Sequence, residues 1–158
     1  MRIRRAQPAD AAELTALAIR AKASWGYPAE WVDAWIPDLT FTPEYITAHR
    51  TYVAEHEGRF YGVIVLQEHP THWSLEHLWI DPTSQRQGIG RGLVAHALSV
   101  SHSTHPARVM VIADPNAESF YRRLGAIRVG SQPAPMPGAP ARALPVLEFR
   151  PSPPSGQA

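Results

Sequence analysis

The 158-residue chain sets 15 Lys and Arg against 14 Asp and Glu, a formal net charge of +1, with the charges scattered rather than blocked. That balance gives no electrostatic case for nucleic-acid or membrane-surface binding. The absence of cysteine excludes disulfides and a thiolate nucleophile, and no apolar run approaches the roughly 18 residues of a membrane helix.

The length suits one domain, expected over residues 1–150, and the amino terminus leads into no apolar signal segment, so a cytoplasmic protein is expected. In chain order, residues 2–5 read as a first strand. Pro8 opens a helix carrying Ala12, Leu14, Leu17, Ala18 and Ala21. A second helical region covers residues 28–35. Thr42-Pro43-Glu44 then reads as an N-cap, a proline at the first helical position and an acidic first turn, opening a short helix through His49.

Three strands are expected as an antiparallel meander over residues 51–56, 60–67 and 73–81, the first two joined at Glu57-Gly58-Arg59. A glycine turn follows, and then a helix with Ile89, Leu93, Val94, Ala97 and Leu98 on one stripe. Residues 109–112 are continuously apolar, as for a strand covered on both faces and parallel to the strand before the helix. Asp114-Pro115-Asn116-Ala117 begins a last helix with Phe120, Tyr121 and Leu124, closed by Gly125. Strands at 126–130 and 144–150 end the domain around a proline-rich stretch that reads as an ordered loop. A free strand edge near 144–150 would suit a homodimer. Residues 151–158 contain nothing that could pack and read as a flexible Pro/Ser-rich tail. The fold class is a mixed α/β sheet with a βαβ centre.

Gln85-Arg86-Gln87-Gly88-Ile89-Gly90, followed by Arg91 and Gly92, lies between the third meander strand and the amphipathic helix. A helix N-terminus exposes unpaired N–H groups and positive dipole character, so this turn reads as a cradle for a pyrophosphate. A dinucleotide turn would need a third glycine where Leu93 stands, and a P-loop is excluded because no G-x-x-x-x-G-K-[ST] occurs. Asp114 stands where a ribose-binding acid could, which keeps nicotinamide as the weaker reading.

Gln85, Gly88 and Gly90 match the Q/R-x-x-G-x-G/A signature of the GNAT superfamily of acyl-CoA-dependent N-acyltransferases, and residues 116–125, Asn-Ala-Glu-Ser-Phe-Tyr-Arg-Arg-Leu-Gly, resemble its N-A-x-x-F-Y-x-x-x-G helix. The resemblance covers about residues 1–150 and implies the order β-α-α-β-β-β-α-β-α-β-β with splayed central parallel strands. It further implies that acetyl-CoA is the co-substrate. The pantetheine arm would follow the strand backbone at Leu78, Trp79 and Ile80, the pyrophosphate would meet residues 85–92 (Gln85, Arg86, Gln87, Gly88, Ile89, Gly90, Arg91, Gly92), and Asn116 would lie near the arm. An extended amide-containing arm suits a strand whose backbone groups have lost their neighbour.

An acceptor amine with a lysine-like pKa of about 10.4 reaches its neutral form at pH 7 at a cost of roughly 4.6 kcal/mol, so a base is useful. Glu76 occupies the position where many similar acyltransferases carry a catalytic glutamate, and it is the candidate general base, acting directly or through water. His77 is a rival on the opposite face. Tyr121 occupies the position of the usual proton donor to the leaving thiolate; Phe120 is expected in the core and Tyr121 facing elsewhere. Direct attack in a ternary complex needs no covalent intermediate, in keeping with the missing cysteine. No metal is implied, since His69/His72 and His102/His105 lack a third ligand in the sequence. On the acceptor side the resemblance points to the first helices, with Trp25, Tyr27, Trp31 and Trp35, and to a small-molecule amine or peptide amine. The competing class is a non-catalytic acyl-CoA sensor or interaction module that keeps the turn and lacks the chemistry.

Overall fold

The computed structural model describes residues 1–151, so the expected tail lies, apart from Pro151, outside the described residues. The elements run β1 (Arg2–Arg5), α1 (Ala11–Ala23), α2 (Ala29–Leu39), α3 (Pro43–Ala48), β2 (Arg50–His56), β3 (Arg59–Glu68), β4 (Trp73–Ile80), α4 (Ile89–Thr104), β5 (Val109–Ile112), α5 (Glu118–Arg123), β6 (Ile127–Pro133) and β7 (Ala143–Phe149). The strands form a mixed seven-stranded sheet in the order β1-β2-β3-β4-β5-β7-β6. The short α3 stands where Thr42-Pro43-Glu44 placed a helix, one helix more than the order implied by the resemblance, and Thr42 caps it as expected, its hydroxyl accepting from Tyr45 N at 3.0 Å. Among the described residues no helix is long and apolar enough to cross a membrane.

Backbone contacts group the chain into two compact units, Met1–Gln67 with Glu76–Ala95, and Glu68–Leu75 with the chain from His96 onward. In the first unit β1 pairs antiparallel with β2, and β2 with β3. Its core joins Leu14, Leu17 and Ala18 of α1 to Leu39, Phe41 and Ile46 and to Val53, Val63 and Val65 of the sheet. On α1 the buried first-turn residue is Ala11, whereas Ala12 is exposed. Helix α2 runs four residues beyond expectation, through Pro37, because continuing to Leu39 places that side chain in the core.

In the second unit β4 pairs parallel with β5 only from Trp73↔Val109 to Leu75↔Val111. Strand β7 pairs with both β5 and β6. The free edge expected near residues 144–150 is therefore wrong: the returning last strand inserts between β5 and β6, and β6 is left as the outer strand, exposed along its whole length. Nor is β5 covered on both faces. Val109 and Val111 are buried, but Ile112, past the last parallel pair, is 50% exposed. The proline-rich segment between β6 and β7 is ordered as expected, with Ala134 N donating to Arg142 O at 2.9 Å and a bridge between Met136 and Ala139.

Gly62 of β3 allows α4 to lie close to the sheet. A Cβ there would stand 2.9 Å from Leu93 Cδ1, 3.0 Å from Ile80 Cδ1 and 3.1 Å from Ile89 Cγ2. Gly62→Val should destabilise the protein by about 1–2 kcal/mol, since overpacking outweighs the entropy gained by removing a strand glycine. Urea denaturation of the variant checks this.

Candidate functional site

At the end of β4 the chain must leave the sheet and enter α4 within eight residues, 81–88. Asp81 organises that passage. Its buried carboxylate accepts from Thr83 N at 2.9 Å and from Thr83 Oγ1 at 2.6 Å, while Arg20 of α1 and Arg59 of β3 each stand 3.5 Å away. Its backbone N–H donates to Tyr61 O at 2.9 Å. Burial works to raise the Asp81 pKa, but the two bonds from Thr83 and the two arginine charges outweigh it and hold the carboxyl below its usual value. The sequence signal for this role is Asp-Pro-Thr, an Asx turn whose aspartate accepts a backbone N–H two residues on.

Beyond Asp81, Arg86 (φ 66°) and Gly88 (φ 78°) both adopt left-handed backbone. No atom lies within 4 Å of a Cβ placed on Gly88, so the glycine serves the conformation and not the packing. The first bond of α4 runs from Gly92 N to Gly88 O at 3.0 Å. The N–H groups of Ile89, Gly90 and Arg91 precede that bond and form the positive end of a 16-residue helix. Gln85, Arg86, Gln87 and Arg91 are exposed around them. This turn can hold a pyrophosphate through backbone N–H groups, with Arg86 and Arg91 as adjoining cations.

Strand β4 runs five residues past its last parallel pair, through Glu76, His77, Leu78, Trp79 and Ile80. Its two faces carry different chemistry. Glu76 is exposed, and Ile80 on the same face approaches Leu93 and Ile89 around Gly62. On the other face the His77 ring packs 5.0 Å from Phe41 and 5.8 Å from Tyr45, and its Nδ1 accepts the indole N–H of Trp79 at 2.9 Å. An indole nitrogen can only donate, so the imidazole is neutral with its proton on Nε2. Burial pushes the His77 pKa down to about 4, against the opposing charge of Glu76. The Tyr45 phenol is pushed up, first by burial and then by the Glu76 charge.

Three of the four expected acceptor-side aromatics come together. Tyr27 stacks on Trp31 at 5.9 Å and meets Trp35 edge-on at 5.1 Å, and Trp31 meets Trp35 at 6.0 Å. Trp25 stands outside this cluster, 43% exposed. The sequence reading missed Lys22, whose Nζ lies 4.3 Å from the Trp35 ring centroid. Its spacing from Trp25, Tyr27 and Trp31 crosses a helix end, where periodicity gives no guide.

In the second unit Asp114 repeats the device of Asp81. Its Oδ1 accepts from Asn116 N at 2.8 Å and from Asn116 Nδ2 at 3.0 Å, capping a short 3-10 turn ahead of α5. That engagement accounts for Asp114 without a ribose. Asn116 is exposed. The expectation for the next helix is reversed: Tyr121 is buried at 5% exposure, its ring 5.2 Å from Phe120 and 6.4 Å from Phe149, whereas Phe120 is half-buried. The helix is only six residues long after its 3-10 entry, which turns Tyr121 toward β7. Burial, and then the Asp114 charge, push the phenol pKa up, so Tyr121 stays protonated at neutral pH. His69 meets Ser74 Oγ at 2.8 Å and stacks on His72 at 4.5 Å; among the described residues no group of three His, Cys, Asp or Glu converges on a metal position.

Residues 29–134 match the model of the acetyltransferase (GNAT) domain family. No curated protein matches the sequence. Among solved structures the chain is similar to a GCN5-related N-acetyltransferase from Rhodopseudomonas palustris (TM-score 0.76, 19% identity, 94% of each chain covered). It is similar also to the PaiA N-acetyltransferase from Thermoplasma acidophilum, determined in complex with coenzyme A (TM-score 0.74, 17% identity, 94% of this chain and 98% of that one). A ribosomal-protein alanine N-acetyltransferase from Escherichia coli gives a TM-score of 0.73 at 16% identity, over 99% of this chain and 97% of that one. At these identities the likeness establishes the fold.

The depressed His77 pKa has a defined consequence for stability. The neutral ring's contribution is complete above the unfolded value of about 6.5 and is lost as pH falls from there through about 4. Over that window the loss should reach about 3 kcal/mol. Urea midpoints measured from pH 7 to pH 4 should therefore fall less steeply in His77→Gln than in the parent; equal slopes would contradict the assignment.

Proposed function

Because the chain belongs to the GNAT acetyltransferase family, we propose that it transfers an acetyl group from acetyl-CoA to a primary amine by direct attack in a ternary complex. The observation that carries this reading is the passage from β4 to α4, where left-handed Arg86 and Gly88 lead into a long helix whose first N–H groups have no intrahelical partner. The pyrophosphate meets residues 85–92. The pantetheine arm lies along the β4 backbone at Leu78, Trp79 and Ile80, past the end of the parallel ladder, and Asn116 is a further cofactor-binding candidate on the strength of the family motif.

The acceptor nitrogen attacks the thioester carbonyl carbon, a new C–N bond forms and the C–S bond breaks. Glu76 takes the proton from the amine, directly or through one water, and the Tyr121 hydroxyl supplies a proton to the CoA thiolate. The exposure of Glu76 suits a base that must reach an incoming amine. His77 suits it poorly, since its Nδ1 lone pair is taken by Trp79 and its low pKa makes it a weak base. A protonated phenol at Tyr121 suits an acid. The acceptor is a small molecule or a peptide amine.

Saturating acetyl-CoA should raise the melting temperature, and a panel of amines should include one that drives release of CoA thiol; no stabilisation by acetyl-CoA would sink the proposal. Glu76→Gln and Tyr121→Phe should still bind acetyl-CoA while kcat falls by about a hundredfold or more in each. A sensor would bind CoA in all three forms and turn over in none. Gly88→Val should weaken acetyl-CoA binding in a thermal-shift titration, because a β-branched side chain disfavours the positive φ that the turn requires.

A further inference from the structure

His77 takes no part in the proton transfers proposed above, yet its surroundings fix its hydrogen-bonding character. The Trp79 indole N–H, 2.9 Å away, occupies the Nδ1 lone pair. The ring proton therefore sits on Nε2, the nitrogen farther from the backbone, and the outer edge of the ring is a hydrogen-bond donor. Among the described residues nothing accepts from that Nε2, and the atom is not sealed from solvent. Phe41 at 5.0 Å, Tyr45 at 5.8 Å and Trp79 at 6.1 Å wall the ring, all of them within the first compact unit. Phe41 is buried, and His77, Tyr45 and Trp79 are half-buried. A neutral N–H is thus held at an aromatic wall on the strand that also carries Glu76.

We propose that His77 determines acceptor specificity: its Nε2–H donates to the carbonyl oxygen of an amide next to the reacting amine, so the substrate is an amino-acid amide or the amino end of a peptide. The inference rests on the acetyl-transfer reading above, in which Glu76 takes the proton of that amine. The Glu76 charge acts on both the His77 and the Tyr45 rings, which places an amine served by Glu76 within reach of the same wall. A fixed N–H donor needs a lone pair opposite it. An ammonium has none, and an alkyl group leaves the donor unmet. A carboxylate has lone pairs but meets an unfavourable field: among the charges acting at His77 that of Glu76 is the largest, Asp38 adds to it, and His49 opposes it only when protonated. An amide carbonyl is a strong acceptor without charge, and it costs less than an ion to bring against half-buried rings.

Alaninamide, alanine and isopropylamine set an amide, a carboxylate and a methyl group beside the same amine, and CoA thiol release follows each. Comparing parent and variant on one substrate at a time cancels the differences in amine basicity. His77→Phe keeps a ring and loses the donor, so kcat/KM for alaninamide should fall by about tenfold, mostly through KM, while alanine and isopropylamine change by about threefold or less. Trp79→Phe keeps the imidazole but frees its Nδ1, and should lower alaninamide turnover selectively by about threefold or more. Circular dichroism and melting temperature confirm that each variant is folded. Faster turnover of alanyl-alaninamide than of alaninamide points to a peptide and the reverse to a small amide; the selective loss in His77→Phe is expected in either case. Nitrogen-15 NMR of the parent gives a measure independent of any variant: from pH 6 to pH 8 the His77 ring should carry its proton on Nε2. A proton on Nδ1, equal losses on all substrates in folded His77→Phe, or turnover of amide-free amines with none of either amide would overturn this inference and leave acetyl transfer standing. Failure to bind acetyl-CoA would overturn both.

Discussion

The buried carboxylate of Asp81 is the constraint around which the first unit is arranged. The strand that carries Glu76 and His77 has to end, reverse and deliver its chain to the start of a helix without leaving a charged group stranded in the interior. Asp81 meets this with four interactions, two from Thr83 and one each from Arg20 and Arg59. Removing water from a carboxylate is costly, and those partners reverse the expected rise in its pKa. The same residue ties β4 to α1 and β3, so the positions of Glu76 and Trp79 on one side and of Gly88 on the other are set from one point.

Strand alternation then divides labour along β4. Glu76 and Ile80 share one face, and His77 and Trp79 the other. The buried face forces His77 into a neutral, hydrogen-bonded role beside Phe41 and Tyr45. Glu76, on the other face, is exposed. Two ionisable neighbours one residue apart therefore carry different chemistry because of the pleat, not because of their intrinsic pKa values. The aromatic cluster around Lys22 extends the His77 face, where α2 and Trp79 contribute rings to a single cation.

Much of this was legible from residue types and spacing. Thr42-Pro43 marked the start of α3, Asp114-Pro115 marked the turn before α5, and the stripe Ile89, Leu93, Val94 and Ala97 marked the buried face of α4. These signals are local: a cap, an Asx turn and a helical period are all decided within a few residues. What was misread depended on distant neighbours. Phe120 and Tyr121 differ by a single step around a short helix, and it is Tyr121 that is buried, with its ring beside Phe149. The apolar run of β5 looked doubly covered, yet Ile112 lies beyond the reach of its parallel neighbour.

By itself the sequence determined the order of elements, the glycine turn before α4 and the family signature, because hydrophobic period, caps and the glycine positions are short-range properties of the chain. Tertiary structure alone decided that β7 lies between β5 and β6, that His77 is neutral and engaged, and that Lys22 stands among Tyr27, Trp35 and Trp79. Each of these depends on which remote surface packs against a residue. Desolvation and cation–π attraction act through space, and the linear pattern does not encode them.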